Sequence, residues 1–299
     1  MARIALVLIL ALIALCPAPV RAWGMDVHRW LTGRAIDALP EEVRPLLDRR
    51  RAFVVERSVD PDLWRLMDLR GETGKEDQNH FLDIDALDES APYTNVPRDR
   101  EVFLARYGPD RADKAGRLPW RTAEVYRKLV SSLRELGAGR SAAADNAAYY
   151  AAVIAHYVED GHQPFHAVAN YDGQLTGQNG VHARFETDLV QRNRERLSSL
   201  SVSVRPVVDI TAFMFMTLAD SAALVQAVLE ADKAAIGDGR DYDDAYFDRF
   251  YARTAQTLRT RLAEAAGGVA SVIAAAWVDA GRPDVAGDHR VASRPRAVP

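Results

Sequence analysis

The sequence predicts an all-α protein that folds as one multi-helix domain. Apolar residues recur at helical spacing along most of the chain, whereas the alternating pattern of half-buried strands is scarce. The 299 residues contain no internal repeat, no low-complexity tract and no sharp change of composition that would mark a domain boundary. A chain of this length is sufficient for one large domain with a substantial core.

Helical periodicity covers seven segments of the chain. We predict helices at Val27–Leu39, Glu41–Val55, Arg121–Leu136, Asp145–Val158, Ala183–Arg196, Thr211–Ala231 and Tyr246–Val278. Segments rich in Gly and polar residues predict loops at Asp68–Gln78, Tyr171–Gly180 and Gly237–Asp243. Residues 282–299 are rich in Pro, Arg and Asp and predict a disordered tail, which leaves residues 23–281 for the helical domain.

Residues 1–22 have the pattern of a secretory signal peptide. Arg3 is followed by an apolar run from Ile4 to Cys16 and by a small-residue exit ending at Ala22. The run is shorter than the roughly 20 apolar residues that a membrane helix needs, so cleavage is favoured over permanent anchoring. We therefore expect a secreted or periplasmic protein whose mature chain begins at Trp23.

Charge and cysteine content limit the chemistry of the mature chain. Cys16 is the only cysteine and would leave with the signal peptide, so no disulfide is expected. Lipid attachment at Cys16 is disfavoured, because the residue before the cysteine is Leu15, whereas a lipid-attachment signal has a small residue there. The chain carries 38 basic and 42 acidic residues, a formal charge of -4, which argues mildly against a broad polyanion-binding surface. Bound divalent metal ions would concentrate positive charge at one place and weaken that argument.

Metal-binding residue types are densest between positions 156 and 186. On a helix, His156 and Asp160 lie four residues apart on one face, as do His182 and Glu186, so each pair can hold one metal ion. A single pair of this kind is more often a surface salt bridge. Two pairs on either side of His166 favour a metal site, because imidazole and carboxylate are the ligands of zinc sites with open positions.

Three candidate ligands lie further upstream. They are His80, the aspartate of the Pro-Asp pair at Asp62, and His28, which follows Trp23 by five residues. Each has an ordinary alternative when taken alone. Asp62 could cap a helix, and His28 could be a polar residue on the first helix.

In combination these motifs resemble a known superfamily, which joins the bacterial zinc-dependent phospholipases C and the fungal zinc nucleases of the P-one and S-one type. The shared motifs are an N-terminal Trp after signal cleavage, a nearby His, Pro-Asp, His-Phe, His-x-x-x-Asp-x-x-x-Pro-x-His and His-x-x-x-Glu. The resemblance spans Trp23 to about Glu186 and implies the all-helical fold of that superfamily. All nine expected metal ligands have a counterpart, namely Trp23, His28, Asp62, His80, His156, Asp160, His166, His182 and Glu186.

The resemblance implies three zinc ions that share these ligands. The first would be held by Asp62, His80, His156 and one oxygen of Asp160. The second would be held by His166, His182 and Glu186. The third would be held by the α-amino nitrogen and carbonyl oxygen of Trp23, with His28 and the other oxygen of Asp160. Asp62 is preferred to Asp60 because Pro-Asp is the family pattern. The predicted catalytic carboxylates are Asp62, Asp160 and Glu186, in a metal-assisted hydrolysis that uses an activated water and no covalent intermediate.

Two enzymatic functions follow from the resemblance. A phospholipase C-like phosphodiester hydrolase is slightly favoured, because the segments around His80 and ending at Glu186 are closer to the bacterial lipases. The Trp-Gly-x-x-x-His spacing from Trp23 to His28 is instead similar to the fungal nucleases, which implies a single-strand nuclease or 3′-nucleotidase as the alternative. The substrate would accordingly be a phospholipid or a single-stranded nucleic acid or nucleotide.

Other features bear on the partner and on a third function. Leu63 follows Asp62 where the choline-binding lipases carry an aromatic residue, which weakens phosphatidylcholine as substrate. Transient contact with a membrane surface is compatible with a lipid substrate, and no stable protein partner is implied. A non-catalytic binding protein stabilised by its metal cluster is the third alternative, and closed coordination positions would distinguish it from an enzyme.

Three further polar residues near the motifs have an ordinary interpretation. We expect His162 to be an exposed residue near a helix end, although a place behind the ligands is the alternative. Arg184 and Lys75 could meet phosphate, but a solvated surface is the expected position of both.

Overall fold

The structure is a computed structural model that describes residues 23–68, 76–87, 90–140, 142–237 and 241–285. Within these ranges the protein is all-α, as predicted, and the one strand-like feature is an antiparallel bridge between Leu82 and Gly116. The α-helices are α1 (Met25–Ala38), α2 (Arg44–Asp48), α3 (Arg51–Arg57), α4 (Asp60–Asp68), α5 (Arg100–Tyr107), α6 (Pro109–Ala115), α7 (Leu118–Gly137), α8 (Ala143–Gly161), α9 (Val181–Ala183), α10 (Leu189–Arg192), α11 (Ile210–Ile236) and α12 (Asp244–Asp279). Short 3₁₀ helices at Asp77–Asn79, Ile84–Leu87 and Pro164–Ala167 and a π-helical turn at Arg184–Asp188 complete the described helices.

Helix α8 is the central scaffold of the molecule. Its sequence is rich in alanine, the strongest helix former, and the small side chains allow neighbouring helices to approach closely. Helix α7 packs along it in the most extensive helix–helix contact of the described fold. The last two turns of α8 carry His156 and Asp160, so the best-packed helix places two candidate ligands at its carboxyl end.

Helices α11 and α12 are the longest in the described chain, and each begins at an aspartate that caps it. The Asp209 and Asp243 carboxylates accept hydrogen bonds from backbone N–H groups in the first turns of α11 and α12. Both helices are long and apolar enough to cross a membrane by length and composition. Leu218 of α11 and Leu262 of α12 are nevertheless fully buried within the protein, as in the core helices of a large domain.

The buried apolar residues form two clusters that meet at the end of α8. Tyr157 and Val158 of α8 belong to the cluster built mainly with α7, whereas Trp23 and Phe165 belong to the cluster built with α12. All four side chains are buried. The candidate ligands between them are therefore held on both sides by close-packed side chains, which leave little freedom for rotation.

Several predicted element boundaries are wrong. The helix predicted over Glu41–Val55 is divided between α2 and α3, and the turn lets the buried Arg50 Nε donate to Asp145 Oδ1 over 2.9 Å. The helix predicted over Ala183–Arg196 ends at Arg192. Sequence periodicity missed α4, α5 and α6, which are too short to show a repeated apolar stripe. The connection at 171–180 is a series of turns, as predicted, whereas much of the two other predicted loops lies outside the described residues.

Order extends slightly beyond the predicted end of the domain. Val285 is buried, and its carbonyl oxygen accepts a hydrogen bond from Arg49 Nη1 at 3.2 Å. The beginning of the predicted tail therefore has two buried residues, Pro283 and Val285. The rest of that tail, like the predicted signal peptide at 1–22, lies outside the described residues.

The segment that carries His80 is held by an extended backbone ladder. Leu82 N donates to His166 O over 3.0 Å, and Asp83 N donates to Ala115 O over 2.7 Å. Gly116 completes this contact with a φ of +98°, and a Cβ atom there would lie 2.2 Å from the Phe81 carbonyl oxygen. A glycine is therefore required for the close approach that fixes His80 beside His166.

We predict that Gly116→Ala lowers the free energy of unfolding by roughly 2–4 kcal/mol, because it adds a backbone clash to an unfavourable φ. Gly108 is a matched control, since its φ is +76° and nothing lies within 4 Å of a Cβ there. Gly108→Ala should cost only roughly 1–2 kcal/mol. Urea denaturation of both variants measures the difference, and equal losses would contradict the role assigned to the Phe81 contact.

Candidate metal centre

The centre begins with two residues on one face of α8. His156 and Asp160 are fully buried, and His156 Nε2 lies 3.3 Å from Asp160 Oδ2. The other ring nitrogen of His156, Nδ1, lies 2.9 Å from the carbonyl oxygen of Ser58, which fixes the ring orientation. The four-residue spacing therefore brings both side chains to one point.

Two upstream residues join this pair. His80 Nδ1 lies 2.9 Å from Asp160 Oδ2 and 3.1 Å from His156 Nε2. Asp62 Oδ1 lies 4.0 Å from His156 Nε2. His80, His156 and Asp160 offer ligand atoms within 4.8 Å of one another, which is compact enough for one metal ion.

Of the two candidate upstream aspartates, Asp62 faces the cluster. It is buried at the start of α4, and one of its oxygens has no hydrogen-bond partner. The carboxylate of Asp60 lies instead 3.5 Å from the Arg57 guanidinium. Asp62 is therefore the aspartate that lies beside the histidines, and its role as a ligand stays a prediction.

A second compact group is formed by the downstream residues. His166, His182 and Glu186 offer ligand atoms within 4.8 Å of one another, and His182 Nε2 lies 2.9 Å from Glu186 Oε2. His166 Nδ1 lies 3.8 Å from Asp160 Oδ1, so this group adjoins the first. Glu186 belongs to the π-helical turn, a feature that recurs at functional sites.

The amino-terminal segment supplies the third side of the cluster. His28 Nε2 lies 3.5 Å from Asp160 Oδ1, and its ring stacks on His156 with centroids 4.0 Å apart. Trp23 is fully buried, and its indole nitrogen donates to the Glu159 carbonyl oxygen over 2.8 Å. Asp160 thus has one oxygen facing His80 and His156, and the other facing His28 and His166.

The chemistry of this donor set fits metal ions. Six buried atoms of the predicted ligands have no hydrogen-bond partner: His28 Nε2, Asp62 Oδ1, His80 Nε2, Asp160 Oδ1, His182 Nδ1 and Glu186 Oε1. An unpaired buried polar group costs about 1–3 kcal/mol, so this concentration calls for another partner. Nitrogen and carboxylate oxygen in groups of three are the donors that zinc takes.

Burial also sets the protonation of the ligands. It lowers the pKa of His166 to about 4 and the pKa of His182 to about 4, and it raises the pKa of Glu186 well above its usual range. Neutral imidazole is the form that binds metal ions. The second group therefore presents its histidines in the binding form at neutral pH.

A cavity of about 320 Å³ opens onto these ligands. It is lined by Arg65, Asp77, His80, Phe81, Asp83, Lys114, Phe165, His166, Tyr171 and His182. Larger depressions of about 670 and 640 Å³ lie elsewhere, and neither is lined by a ligand of the cluster. A small molecule can therefore reach the cluster from solvent through the smallest of the three.

Sequence reasoning missed two polar residues that hold the ligands. Gln163 Nε2 donates to Glu186 Oε2 over 2.9 Å, and the Glu159 carboxylate lies 2.6 Å from His28 Nδ1. Both lie within the dense histidine segment, one just before Asp160 and one three residues after it. Their place in this segment was the one signal in the sequence that they could matter. The direction of their side chains depends on contacts with α1 and with the π-helical turn, which the local pattern does not encode.

Two expectations about polar residues are wrong. His162 is buried rather than exposed, with Nδ1 2.7 Å from the Val158 carbonyl oxygen. Arg184 is also buried, and its guanidinium lies 3.0 Å from Asp232 Oδ1. Lys75 lies outside the described residues.

The comparisons with known proteins are sparse. No family model matches the chain, and no curated protein matches it in sequence. Among solved structures, it is similar to alpha-toxin of Clostridium perfringens from the avian strain SWCP, with 14% sequence identity and a TM-score of 0.49. The match covers 87% of this chain and 64% of the toxin chain, so this chain spans less than two thirds of that length.

We predict that His162 makes the metal-free protein, prepared with a chelator, less stable as the pH is lowered. Burial lowers the pKa of His162 to about 3, below the usual value of 6.5, so unfolding takes up a proton between these values. The resulting loss of unfolding free energy is absent above pH 6.5 and reaches roughly 3 kcal/mol at pH 4. The matched variant His162→Gln lacks this proton uptake. Urea denaturation from pH 7 to pH 4 should show the wild type losing that much more than the variant, and parallel pH profiles would contradict the prediction.

Proposed function

We propose that this protein is a zinc-dependent phosphoric ester hydrolase. The observation that carries the proposal is the position of Asp160, whose two carboxylate oxygens face different groups of histidines beside a cavity open to solvent. Such a carboxylate is suited to bridge two metal ions. The proposed activity is phosphodiester hydrolysis of the phospholipase C type, in a secreted or periplasmic protein that begins at Trp23.

The proposed zinc ligands are those of the sequence analysis: Trp23, His28, Asp62, His80, His156, Asp160, His166, His182 and Glu186. When bound, zinc would supply Lewis-acid chemistry. It would lower the pKa of a water molecule to near neutrality and offset negative charge on phosphoryl oxygens. His80, His166 and His182 line the cavity, so substrate oxygens could approach the centre on their side. This access favours an enzyme over a binding protein with closed metal sites.

Residues of this chain fix the ligands and receive the substrate. Gln163 holds Glu186, and the Ser58 carbonyl oxygen holds His156, so neither ligand needs to reorient during a reaction. Lys114 lines the cavity, where its positive charge would favour the binding of a phosphate group. The catalytic contribution of the chain is therefore preorganisation of buried ligands next to an accessible cavity.

The lining of the cavity favours an amphiphilic substrate. The apolar rings of Phe81 and Phe165 lie in the same cavity wall as the charged side chains of Arg65 and Lys114. A lining of this kind suits a phosphate group attached to an apolar body. A single-strand nuclease or 3′-nucleotidase is the second candidate, because Phe81 and Tyr171 line the cavity and aromatic rings stack on bases.

We predict that the zinc-loaded protein hydrolyses bis(p-nitrophenyl) phosphate, that a chelator abolishes this activity, and that zinc restores it. Asp160→Asn should lower kcat/KM by roughly 100-fold or more, since it removes a charged oxygen from the shared position. Glu195→Gln, at an exposed acidic residue, is the matched control and should be unchanged.

A substrate panel separates the candidate functions. Phospholipids, single-stranded DNA and RNA, and 3′-mononucleotides should be compared on the same preparation. Preferential cleavage of phospholipid supports the first candidate, and cleavage of nucleic acid or nucleotide supports the second. Complete inactivity of fully zinc-loaded protein would refute both and favour a metal-stabilised binding protein.

We predict that a residue added before Trp23 removes the third zinc ion, because only a free α-amino group at Trp23 can serve as a ligand. The buried indole of Trp23 donates to the carbonyl oxygen of Glu159, so Trp23 lies beside the residue that precedes Asp160. Metal content should fall from about three ions to about two per chain, with a loss of activity. Elemental analysis of extended and unextended protein measures this, and unchanged stoichiometry would refute the role of the amino group.

A further inference from the structure

Glu159 is a fully buried acidic residue that the ligand set does not use. It precedes Asp160 on α8 and faces the amino-terminal segment instead of the cavity. Its Oε2 lies 2.6 Å from His28 Nδ1, and its Oε1 accepts a hydrogen bond from the Thr32 hydroxyl over 3.0 Å. Its own carbonyl oxygen accepts the Trp23 indole N–H. One residue thus contacts three positions of the amino-terminal segment, two of which lie in helix α1.

The contact with His28 occupies one ring nitrogen and leaves the other free. His28 Nε2 has no hydrogen-bond partner, is buried, and lies 3.5 Å from Asp160 Oδ1. A carboxylate that accepts a hydrogen bond from Nδ1–H places the lone pair of the ring on Nε2. Histidines that bind metal ions commonly donate their other N–H to a carboxylate, which fixes the tautomer and the ring orientation.

A purely mechanical role would not require a carboxylate. The bond from Trp23 goes to the main chain of Glu159, and a glutamine could keep the contact with Thr32. A buried acid is costly unless positive charge lies nearby, and among the described residues no lysine or arginine is hydrogen-bonded to Glu159. The nearby proposed ion at His28 and Asp160 supplies the missing positive charge.

We propose that Glu159 is a positioning residue that orients His28 to bind a metal ion through Nε2 and compensates the charge of that ion. The proposal rests on the proposed metal centre but not on the proposed substrate. Glu159 would thereby raise the metal affinity of the amino-terminal side of the centre although it is not itself a ligand.

The test compares zinc binding in the wild type, Glu159→Gln and Glu159→Asp. Apo protein that begins at Trp23 is titrated with zinc in competition with a chromophoric chelator. Both variants should bind one ion roughly 10–100-fold more weakly, with the other ions unchanged. Aspartate keeps the charge but is one methylene too short to reach His28, so its failure to rescue shows that reach matters. Glu56→Gln, at an exposed acid on α3, is the matched control and should bind as the wild type does.

Three results would overturn the proposal. They are unchanged zinc affinity in Glu159→Gln, an equal loss at all ions, and full rescue by Glu159→Asp. If circular dichroism shows that the variants do not fold, a measurement on the wild type tests the proposal instead. A long-range ¹H–¹⁵N spectrum of the zinc-loaded wild type should show His28 with Nδ1 protonated and Nε2 bound to metal, and the reverse assignment overturns the proposal. These measurements do not use hydrolysis, so an inactive protein refutes the proposed activity while leaving the role of Glu159 to be decided by binding.

Discussion

The arrangement of the site depends on one fully buried carboxylate. Asp160 lies near the carboxyl end of α8, and its two oxygens face two different sets of histidines at 2.9–3.8 Å. It can do so because α8 is rich in alanine, so other segments approach its last turns closely. The two apolar clusters meet at this point and fix the directions of the surrounding side chains. A small rotation of α8 would move both oxygens, so the packing of that helix controls the whole centre.

The predictable part of the site follows from local geometry. The four-residue spacing of His156 and Asp160 specifies one helical face, and the structure places both side chains there. The all-α fold follows similarly from repeated apolar spacing. The convergence of His28 and His80 with these residues depends instead on long-range packing and on the ladder beside Gly116. A single sequence contains no geometric rule for such contacts, so only the family resemblance anticipated them.

Polar residues near the ligands show why burial was harder to predict than spacing. Arg184 follows His182 by two residues and is of a type usually found at the surface. In the structure it is buried and donates hydrogen bonds to Asp232 of α11 and Tyr246 of α12. His162 is buried beside Arg261 of α12, whose Nε donates to the His162 carbonyl oxygen over 2.9 Å. In both cases the partner lies at least 48 residues away in the sequence. Local polarity therefore indicates a surface position, and a distant helix overrides it.

The electrostatics of the centre connect stability with function. In the protein alone, unpaired buried nitrogen and oxygen atoms are concentrated on the proposed ligands, and burial holds His166 and His182 neutral by lowering their pKa values. Such a set is costly to bury by itself, and metal ions would offset that cost because they bind the folded arrangement and not the unfolded chain. The same ions would provide the positive charge that a phosphate ester needs in the cavity. A protein with no cysteine in its predicted mature chain would thereby obtain both its cross-link and its reactivity from one cluster.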